Sequence, residues 1–406
     1  MTTKLKLIFM TYHEQILLAP FGLFIGAIVG AMDALFGRVL LFLTDVRVLH
    51  PLLLIPFLPL AGVIIAFFYK RYGGASSRGM DLVFAVGHGE EEVIPLRLVP
   101  FVISGTWLTH LFGGSAGREG VAVQIGATLS HWLGKRLPVK NASSIFLVTG
   151  MAAGFSGLFG TPIAATLFAL EVLVAGSLKY RALLPAFTAA YAASSTAQLL
   201  GLEKFSFPLT STLALTPATW GKLILLGFLF GIIGGGFAWC LKKAKNIAKS
   251  VLPQAIIRIF VMGIALSILL LLFYQGRYSG LGTNLITSSF SSQEIKPWDW
   301  FLKFILTIIT LSAGFQGGEV TPLFAIGASL GVILAGLLNL PPALVAALGY
   351  ASVFGSASNT LLAPIMIGAE VFGFQNLPYF FIVCSISYVF NMNKSIYAKQ
   401  RKSTNF

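Results

Sequence analysis

The sequence predicts an all-α protein that crosses a membrane many times and consists of two related halves with broken helices. Its 406 residues are 56% hydrophobic and only 10% charged, whereas soluble domains carry about 25% charged residues. Disorder is excluded too, because it requires few apolar residues and many charges. The apolar runs are long, unlike the short alternating segments of a membrane β-barrel. An internal repeat, described below, gives the two halves.

Candidate membrane segments fill most of the chain. A helix needs about 20 residues to span a bilayer, and several of the runs are shorter or are interrupted by Gly or Pro. Broken helices are tolerated where their freed backbone lines a polar pathway, which favours a transporter or a channel. The apolar stretches cover approximately residues 16–43, 51–69, 98–112, 120–134, 144–178, 182–202, 219–241, 255–274, 301–315, 320–356 and 360–392.

The charge distribution predicts the orientation in the membrane. The chain has 28 Lys and Arg against 14 Asp and Glu, a net charge of +14. In so apolar a chain this excess is typical of cytoplasmic loops rather than of a nucleic-acid surface. Basic clusters occupy residues 4–6, 242–249 and 394–402. We therefore expect a multi-pass protein of the cell (inner or plasma) membrane, in contact with the lipid bilayer, with both termini in the cytoplasm and no cleavable signal peptide.

The chain repeats itself after about 200 residues. A Gly-xxx-Gly pattern alone indicates only close helix packing, but three collinear pairs of segments indicate two similar halves with a site at their interface. The pairs are 22–30 with 227–235, 119–127 with 319–328, and 150–171 with 349–370. The expected organisation is an N-terminal cytoplasmic segment (1–14), a first membrane repeat (15–203), a linker (204–218), a second membrane repeat (219–392) and a basic cytoplasmic tail (393–406).

Carboxylates inside the apolar runs are the first candidates for chemistry. An intramembrane carboxylate is costly, and by default it marks a proton or ion site. Glu171 and Glu370 occupy matching repeat positions at the ends of spans, which favours a structural role as helix-end partners. The full set is Asp33, Glu119, Glu171, Glu319 and Glu370.

Two glycine-rich turns each carry one of these carboxylates. The stretch GGSAGREG (113–120) contains Glu119 and precedes an apolar helix expected to begin near Gly120, and GGEVTP (317–322) repeats the arrangement with Glu319. A helix N-terminus attracts anions through free N–H donors and its dipole. One turn alone is equally well explained as a tight interhelical turn with its Glu as a cap. Two such turns indicate one anion-binding centre.

An enzyme is the alternative from a different class. The stretch GFSG (154–157) fits the serine motif of rhomboid-type intramembrane proteases, which need a His on a later helix. All five histidines precede Ser156 in the sequence, so Ser156 is interpreted as a packing residue. No metal-ligand spacing and no phosphate-binding loop is evident, so we expect neither a metal nor a cofactor.

Together the motifs resemble the CLC family of anion channels and transporters. The likeness rests on GSAGREG (114–120), the Gly-Gly-xxx-Pro turn at 317–322, GMAAGFSGLFGTPIAATLFALE (150–171) and its partner at 349–370. It covers about residues 15–400, and we expect no regulatory tail after it. The resemblance implies a CLC-type fold of two inverted-topology repeats with re-entrant helices, and a homodimer with one pathway in each subunit.

The resemblance also assigns site residues. It makes Glu119 the gating glutamate, which moves in and out of the anion path, and Tyr397 the residue that closes the inner end of the anion site. The expected anion-binding positions are Gly79, Met80, Gly117, Arg118, Gly318, Val320, Thr321 and Tyr397.

Four departures from chloride-type members resemble the bacterial fluoride-exporting branch, CLC-F. Met80 replaces the anion-binding serine, Val121 replaces a proline, Glu319 replaces an apolar residue, and Val172 stands at the inner proton-relay position. The implied function is export of fluoride in exchange for protons, which confers fluoride resistance. A chloride/proton exchanger, disfavoured by Met80 and Val172, and a passive anion channel are the alternatives.

The role of Glu319 follows from the missing relay. A proton that enters at Glu119 must still reach the cytoplasm, and Val172 cannot carry it. Glu319 occupies the repeat-equivalent position to Glu119, so two carboxylates facing one centre are expected to titrate as a coupled pair. We interpret Glu319 as a substitute proton carrier. A fixed salt bridge or capping role is the rival interpretation.

Overall fold

A computed structural model describes residues 3–139, 141–210, 213–291 and 293–403, with side chains from residue 16 onward. In these ranges the chain is almost entirely helical, which confirms the all-α prediction. The first half contains α1 (Thr3–Leu49), α2 (Pro51–Leu54), α3 (Leu58–Phe68), α4 (Met80–Gly87), α5 (Leu98–Leu111), α6 (Glu119–Gly134), α7 (Ala142–Phe159), α8 (Pro162–Glu171) and α9 (Leu183–Leu199). The second half contains α10 (Pro217–Val251), α11 (Ala255–Leu272), α12 (Thr283–Phe290), α13 (Asp299–Ala313), α14 (Val320–Leu338), α15 (Pro342–Ser358), α16 (Leu362–Phe372) and α17 (Leu377–Val389).

Helix length separates two kinds of segment. Within the described ranges, six segments are long and apolar enough to cross a membrane, and the other apolar helices have 10–17 residues. A span needs about 20 residues, with a lower limit of about 17. The shortest of these helices, Pro162–Glu171 and Leu362–Phe372, are too short to cross a bilayer alone, as broken and re-entrant helices are. The six long segments are Ile16–Leu49, Pro51–Gly87, Ala142–Phe159, Pro217–Val251, Ala255–Leu272 and Val320–Leu338.

Within each half, glycines bring two consecutive helices into backbone contact. Gly126 of α6 faces the carbonyl oxygen of Gly150 on α7 so closely that a Cβ has no room there. Gly327 of α14 meets Gly349 of α15 in the same way. Small residues permit this close approach between membrane helices. The repeated glycines in the sequence therefore mark equivalent helix pairs, α6–α7 and α14–α15.

Two glutamates cap helices across the halves. The carboxylate of Glu171, at the end of α8, accepts hydrogen bonds from the amides of residues 361–363 at 2.8–3.2 Å, where α16 begins. In return, Glu370 of α16 accepts from the amides of Ile163 (3.2 Å) and Ala164 (2.8 Å) in the first turn of α8. These orphan N–H groups need acceptors when a helix begins inside a protein. The geometry is the helix-end role expected for both carboxylates.

The C-terminal tail returns to the first half. After α17, residues 401–402 form β2 (Arg401–Lys402), which pairs in parallel with β1 (Val174–Ala175), the strand that follows α8. The amide of Ser403 donates to the carbonyl oxygen of Ala175 at 3.0 Å. This short ladder holds the segment that contains Tyr397 against the interface between the halves.

The reciprocal caps generate the first prediction. Replacing Glu171 with Ala leaves three amides at the start of α16 without an acceptor, one of them buried and two part-buried. Each lost bond costs at most about 1–3 kcal/mol. We expect Glu171→Ala to lower the thermal midpoint of the purified protein by several degrees, measured by tryptophan fluorescence. The control is Glu203→Ala, an exposed glutamate. Equal midpoints for the two variants would contradict the capping role.

Candidate functional site

The two glycine-rich turns are joined by their backbones. The amide of Gly117 donates to the carbonyl oxygen of Gly318 at 2.6 Å, and the amide of Gly318 donates back to Gly117 at 2.8 Å. A Cβ on Gly117 would lie 2.9 Å from Cδ of Pro322 and 3.0 Å from the oxygen of Gly318. Only glycine fits such an approach. The pairing holds the N-termini of α6 and α14 side by side.

Glu119 reaches across this pairing to the other half. Its side chain is 1% exposed, and its Oε2 accepts from the amide of Thr321 at 3.1 Å and from the hydroxyl of the same residue. The amide of Arg118 donates to the same oxygen at 3.3 Å. The carboxylate thus occupies the N-terminus of α14, where free N–H groups and the helix dipole favour a negative charge. A carboxylate stands where an anion would bind.

Arg118 supplies positive charge beside this carboxylate. Its Nε lies 3.9 Å from Oε1 of Glu119, and its buried Nε and Nη1 atoms have no hydrogen-bond partner among the described residues. Asp33 of α1 is also fully buried and lacks a partner in the described chain. Arg118 lies within electrostatic range of both carboxylates. The guanidinium is therefore a buried cation with donors left over for an anion.

Gly79 and Met80 lie at the start of α4, next to the same centre. Gly79 has φ of +52°, the left-handed region that glycine favours, and Met80 is the first residue of α4. A Cβ added to Gly120 would lie 3.9 Å from Cε of Met80, so these two residues are neighbours. Gln124 donates from Nε2 to the carbonyl oxygen of Gly120 at 3.1 Å. The start of α4 thus packs against the first turn of α6.

Glu319 has a different partner from Glu119. Its Oε1 lies 3.6 Å from Nζ of Lys245, on the basic end of α10. Both residues line a cavity of about 260 Å³, named here the inner cavity, together with Met80, Gln124 and Tyr397. The two repeat-equivalent glutamates are therefore not equivalent in space. Glu119 binds the other half's helix, whereas Glu319 meets a lysine at the cavity wall.

Tyr397 separates two cavities. Its ring stacks on Phe84 with centroids 5.2 Å apart and meets Phe168 edge-on at 6.2 Å. It lines both the inner cavity and a second cavity of about 470 Å³, whose walls include Lys242, Lys243 and Lys402. Placement between a polar centre and a lysine-rich opening is what an inner barrier requires.

Two members of the expected anion-binding set pair with each other. The amides of Gly117 and Gly318 donate to each other's carbonyl oxygens and so hold the two turns together. Val320 and Thr321 begin α14 at the centre, and the hydroxyl of Thr321 is a second donor beside its backbone amide.

Two polar residues near the centre were not identified from the sequence, and Ser156 makes the packing contact expected of it. Lys245 was noted only as part of a basic cluster, and nothing in its spacing identifies Glu319 as its partner. Gln124 was missed because a single glutamine on an apolar helix carries no distinctive pattern. Ser156 donates its hydroxyl to the carbonyl oxygen of Ala190 at 2.7 Å, which is a packing contact between helices.

A family model described as voltage gated chloride channel matches residues 61–392. The chain belongs to this family. The motif resemblance to CLC proteins is thereby confirmed. Among relatives, a "Chloride/fluoride channel protein" of Pseudomonas syringae pv. tomato is 36% identical over 384 residues, which cover 93% of this chain and 84% of the relative.

Solved structures of CLC proteins confirm the fold. The crystal structure of a CLC-type fluoride/proton antiporter superposes with a TM-score of 0.95 at 57% identity, covering 97% of this chain and 99% of that one. A slow cyanobacterial Cl⁻/H⁺ antiporter matches with a TM-score of 0.78 at 19% identity, covering 91% and 93%, which shows the shared fold alone. The chain is thus a CLC-type membrane protein of two inverted-topology repeats.

An ion-pair cluster tethers the tail that carries Tyr397. Glu90, in the loop after α4, pairs with Lys399 at 2.7 Å and Arg401 at 2.9 Å. Hydrogen bonds from these two cations hold the pKa of Glu90 at about 2. A carboxyl whose pKa falls on folding stabilises the folded tail above its ordinary pKa of about 4.3, and that contribution disappears as the pH falls through 2.

We therefore expect Glu90→Gln to loosen the tail. At neutral pH, amide hydrogen exchange in residues 399–403 should be about two- to fivefold faster than in the wild type, as for a lost exposed ion pair. The difference should shrink as the pH falls from 4.5 towards 2. Glu92→Gln, at an exposed glutamate for which the described chain shows no ion pair, is the control. Unchanged tail exchange in Glu90→Gln would contradict the tether.

Proposed function

We propose that this protein is a secondary active antiporter that exports fluoride in exchange for protons and thereby confers fluoride resistance. The observation that carries the proposal is the carboxylate of Glu119 bound to the amide and hydroxyl of Thr321 at the N-terminus of α14. A carboxylate in an anion position can be displaced by an anion when it takes up a proton. The 57% identity to a CLC-type fluoride/proton antiporter supports the choice of ions.

Exchange follows from competition for one set of donors. In the charged state, Glu119 holds the donors of Thr321, and its own charge excludes a second anion. Protonation removes that charge and weakens its hydrogen bonds, because charge-assisted bonds are about twice as strong as neutral ones. Fluoride can then occupy the donors while the carboxyl carries the proton. Each cycle therefore moves fluoride in one direction and the proton in the other.

The donor set suits a small and strongly hydrated anion. A dry site must replace the water around fluoride with closely spaced donors. Thr321 offers a backbone amide and a hydroxyl on one residue, and Arg118 adds unpartnered guanidinium nitrogens beside them. Met80 occupies the position where chloride-type members place a serine, so that hydroxyl donor is replaced by an apolar side chain.

Glu319 provides the inner carboxylate. Val172 is buried and cannot relay a proton, whereas Glu319 lines the inner cavity with Tyr397 between the centre and the lysine-rich opening. We propose that Glu319 carries the proton to the cytoplasmic side, with Lys245 as its counter-charge at 3.6 Å. A chloride/proton exchanger is the second candidate function, since the fold is shared with a Cl⁻/H⁺ antiporter.

Flux from proteoliposomes tests the function. Vesicles loaded with fluoride should release it while protons enter, and vesicles loaded with chloride should release much less. In Glu119→Gln, which mimics the permanently protonated state, proton-coupled fluoride flux should be lost. Glu203→Gln, at an exposed carboxylate, should behave as the wild type.

The possible outcomes separate the candidates. Fluoride release without proton movement in the wild type would replace the antiporter with a channel. Chloride release as fast as fluoride release would favour the chloride exchanger. Coupled flux at the wild-type rate in Glu119→Gln would remove this residue from the mechanism.

The role of Glu319 has a separate test. Glu319→Gln should give a folded protein whose fluoride transport is lost or no longer coupled to protons. Lys245→Met removes the ion pair but keeps the carboxyl, so it should retain coupling if Glu319 carries the proton. If Glu319 serves only as an ion-pair partner, both variants should behave alike. Normal coupled flux in a well-folded Glu319→Gln would rule the proposal out.

We also propose that the protein is a homodimer of the cell membrane with one pathway in each subunit. Both termini lie in the cytoplasm, and residues 204–218 link the two membrane repeats of each chain. Family resemblance supports the dimer, and the basic end of α10 supports the orientation. Chemical cross-linking that yields only single subunits would contradict the dimer. A cysteine placed at exposed Ser250 should react with an impermeant maleimide only from the cytoplasmic side.

A further inference from the structure

A third cavity, separate from the two that Tyr397 lines, lies far from the inner cavity. It has a volume of about 330 Å³ and lies where the end of α1 meets the segment between α11 and α12. Helix α11 begins beside the basic end of α10, and its 18 residues extend about 27 Å. The cavity therefore lies at the opposite end of the protein from Lys242–Lys249, which is the outer side in the proposed orientation.

Arg47 places a positive charge in the wall of this cavity. Its side chain is buried, and one nitrogen, Nη1, donates to the carbonyl oxygen of His110 at 2.6 Å. Asp45 is exposed and does not line the cavity. Arg277, the other cation in the wall, is already paired with Asp299 at 2.7 and 3.1 Å. In the described chain, the charge of Arg47 thus has no carboxylate contact.

Unpartnered donors surround Arg47. The hydroxyl of Thr44, one turn earlier on α1, and that of Ser279 are both buried and have no hydrogen-bond partner in the described ranges. Both residues line the cavity, and so do Thr283 and Asn284, the first two residues of α12. The first amides of a helix have no acceptor within the helix. One guanidinium, two hydroxyls and a helix N-terminus face the same space.

We propose that this cavity is a second anion-binding site. Its ligand is a small anion, either a free halide or the phosphate of a lipid headgroup. Donors without acceptors and a cation without a carboxylate are the features that an anion satisfies. The volume is about ten times the 30 Å³ share of one water, so a hydrated halide or a phosphate group fits.

The cavity is linked to the proposed transport centre through Gly280. The amide of this residue donates to the carbonyl oxygen of Gly114 at 3.0 Å, and its own carbonyl oxygen accepts from the amide of Ala116 at 3.2 Å. A Cβ on Gly280 would lie 2.7 Å from Nη1 of Arg47. An anion beside Arg47 therefore lies one residue away from the turn that carries Glu119.

Bromide, a halide with an anomalous signal, locates the site. Crystals of the full chain grown in bromide should show an anomalous peak between Arg47 and Ser279. In solution, bromide should raise the thermal midpoint of the delipidated protein. In the double variant Thr44→Ala, Ser279→Ala, which removes two donors that bond nothing in the described chain, the crystal peak should vanish and the bromide concentration needed for this stabilisation should rise at least about tenfold.

A matched control uses Ser130→Ala, which removes another buried and unpartnered hydroxyl, on α6. It should bind bromide as the wild type does. If phosphatidylglycerol stabilises the wild type but not the double variant, and bromide stabilises neither, the ligand is the lipid phosphate. A crystal peak without any change in solution between the double variant and the wild type would mean an adventitious ion only. That result, or no peak and no dependence on these residues, would overturn the proposal.

Discussion

The structure depends on one short backbone contact, the reciprocal hydrogen bonds between Gly117 and Gly318. They place two helix N-termini within reach of each other. Without this pairing the two amides would lack acceptors, and a buried amide in a low-dielectric interior needs one. The bonds leave no space for a Cβ at Gly117. The turns are therefore close enough for the side chain of Glu119 to bind Thr321 of the other half directly, at 3.1 Å from its amide. The proposed anion centre depends on this short distance between the two turns.

The two halves satisfy each other's helix ends, and they differ at one point. Glu171 and Glu370 exchange roles almost symmetrically, each capping the helix that carries the other. The second pair breaks the symmetry, since Glu119 caps α14 while Glu319 turns to Lys245. A symmetric pair of carboxylates would close the centre from both directions. The asymmetry leaves one carboxylate at the donors and one at the inner cavity, as a pathway with two different ends requires.

Sequence reasoning reached the repeat, the fold and the two turns because their signals are local. The Gly and Glu residues around positions 119 and 319, with Pro322 in the second turn, already describe two helix N-termini. It could not give the partner of each side chain, since the Glu319–Lys245 contact joins residues 74 positions apart on separate helices. The mutual use of the amides of Gly117 and Gly318 was invisible for the same reason. A glycine-rich turn predicts free backbone N–H donors. Only the structure of the two paired turns shows which of these donors already have acceptors.

Two cations near the centre complete this picture, Arg118 beside Glu119 and the buried Lys303, which has no carboxylate partner in the described chain. Lys303 is fully buried, and Nζ donates to three neutral oxygens, those of Ser115, Tyr278 and Gly280, at 2.6–3.1 Å. A buried charge is costly unless an opposite charge or strong hydrogen bonds compensate it. Lys303, on α13, donates from Nζ to Ser115 in the turn that leads to Glu119, and Arg118 belongs to that turn. Both positive charges therefore favour negative charge there, whether a carboxylate or an anion supplies it. These cations therefore stabilise one negative charge at the centre, whether it belongs to the carboxylate of Glu119 or to a bound anion.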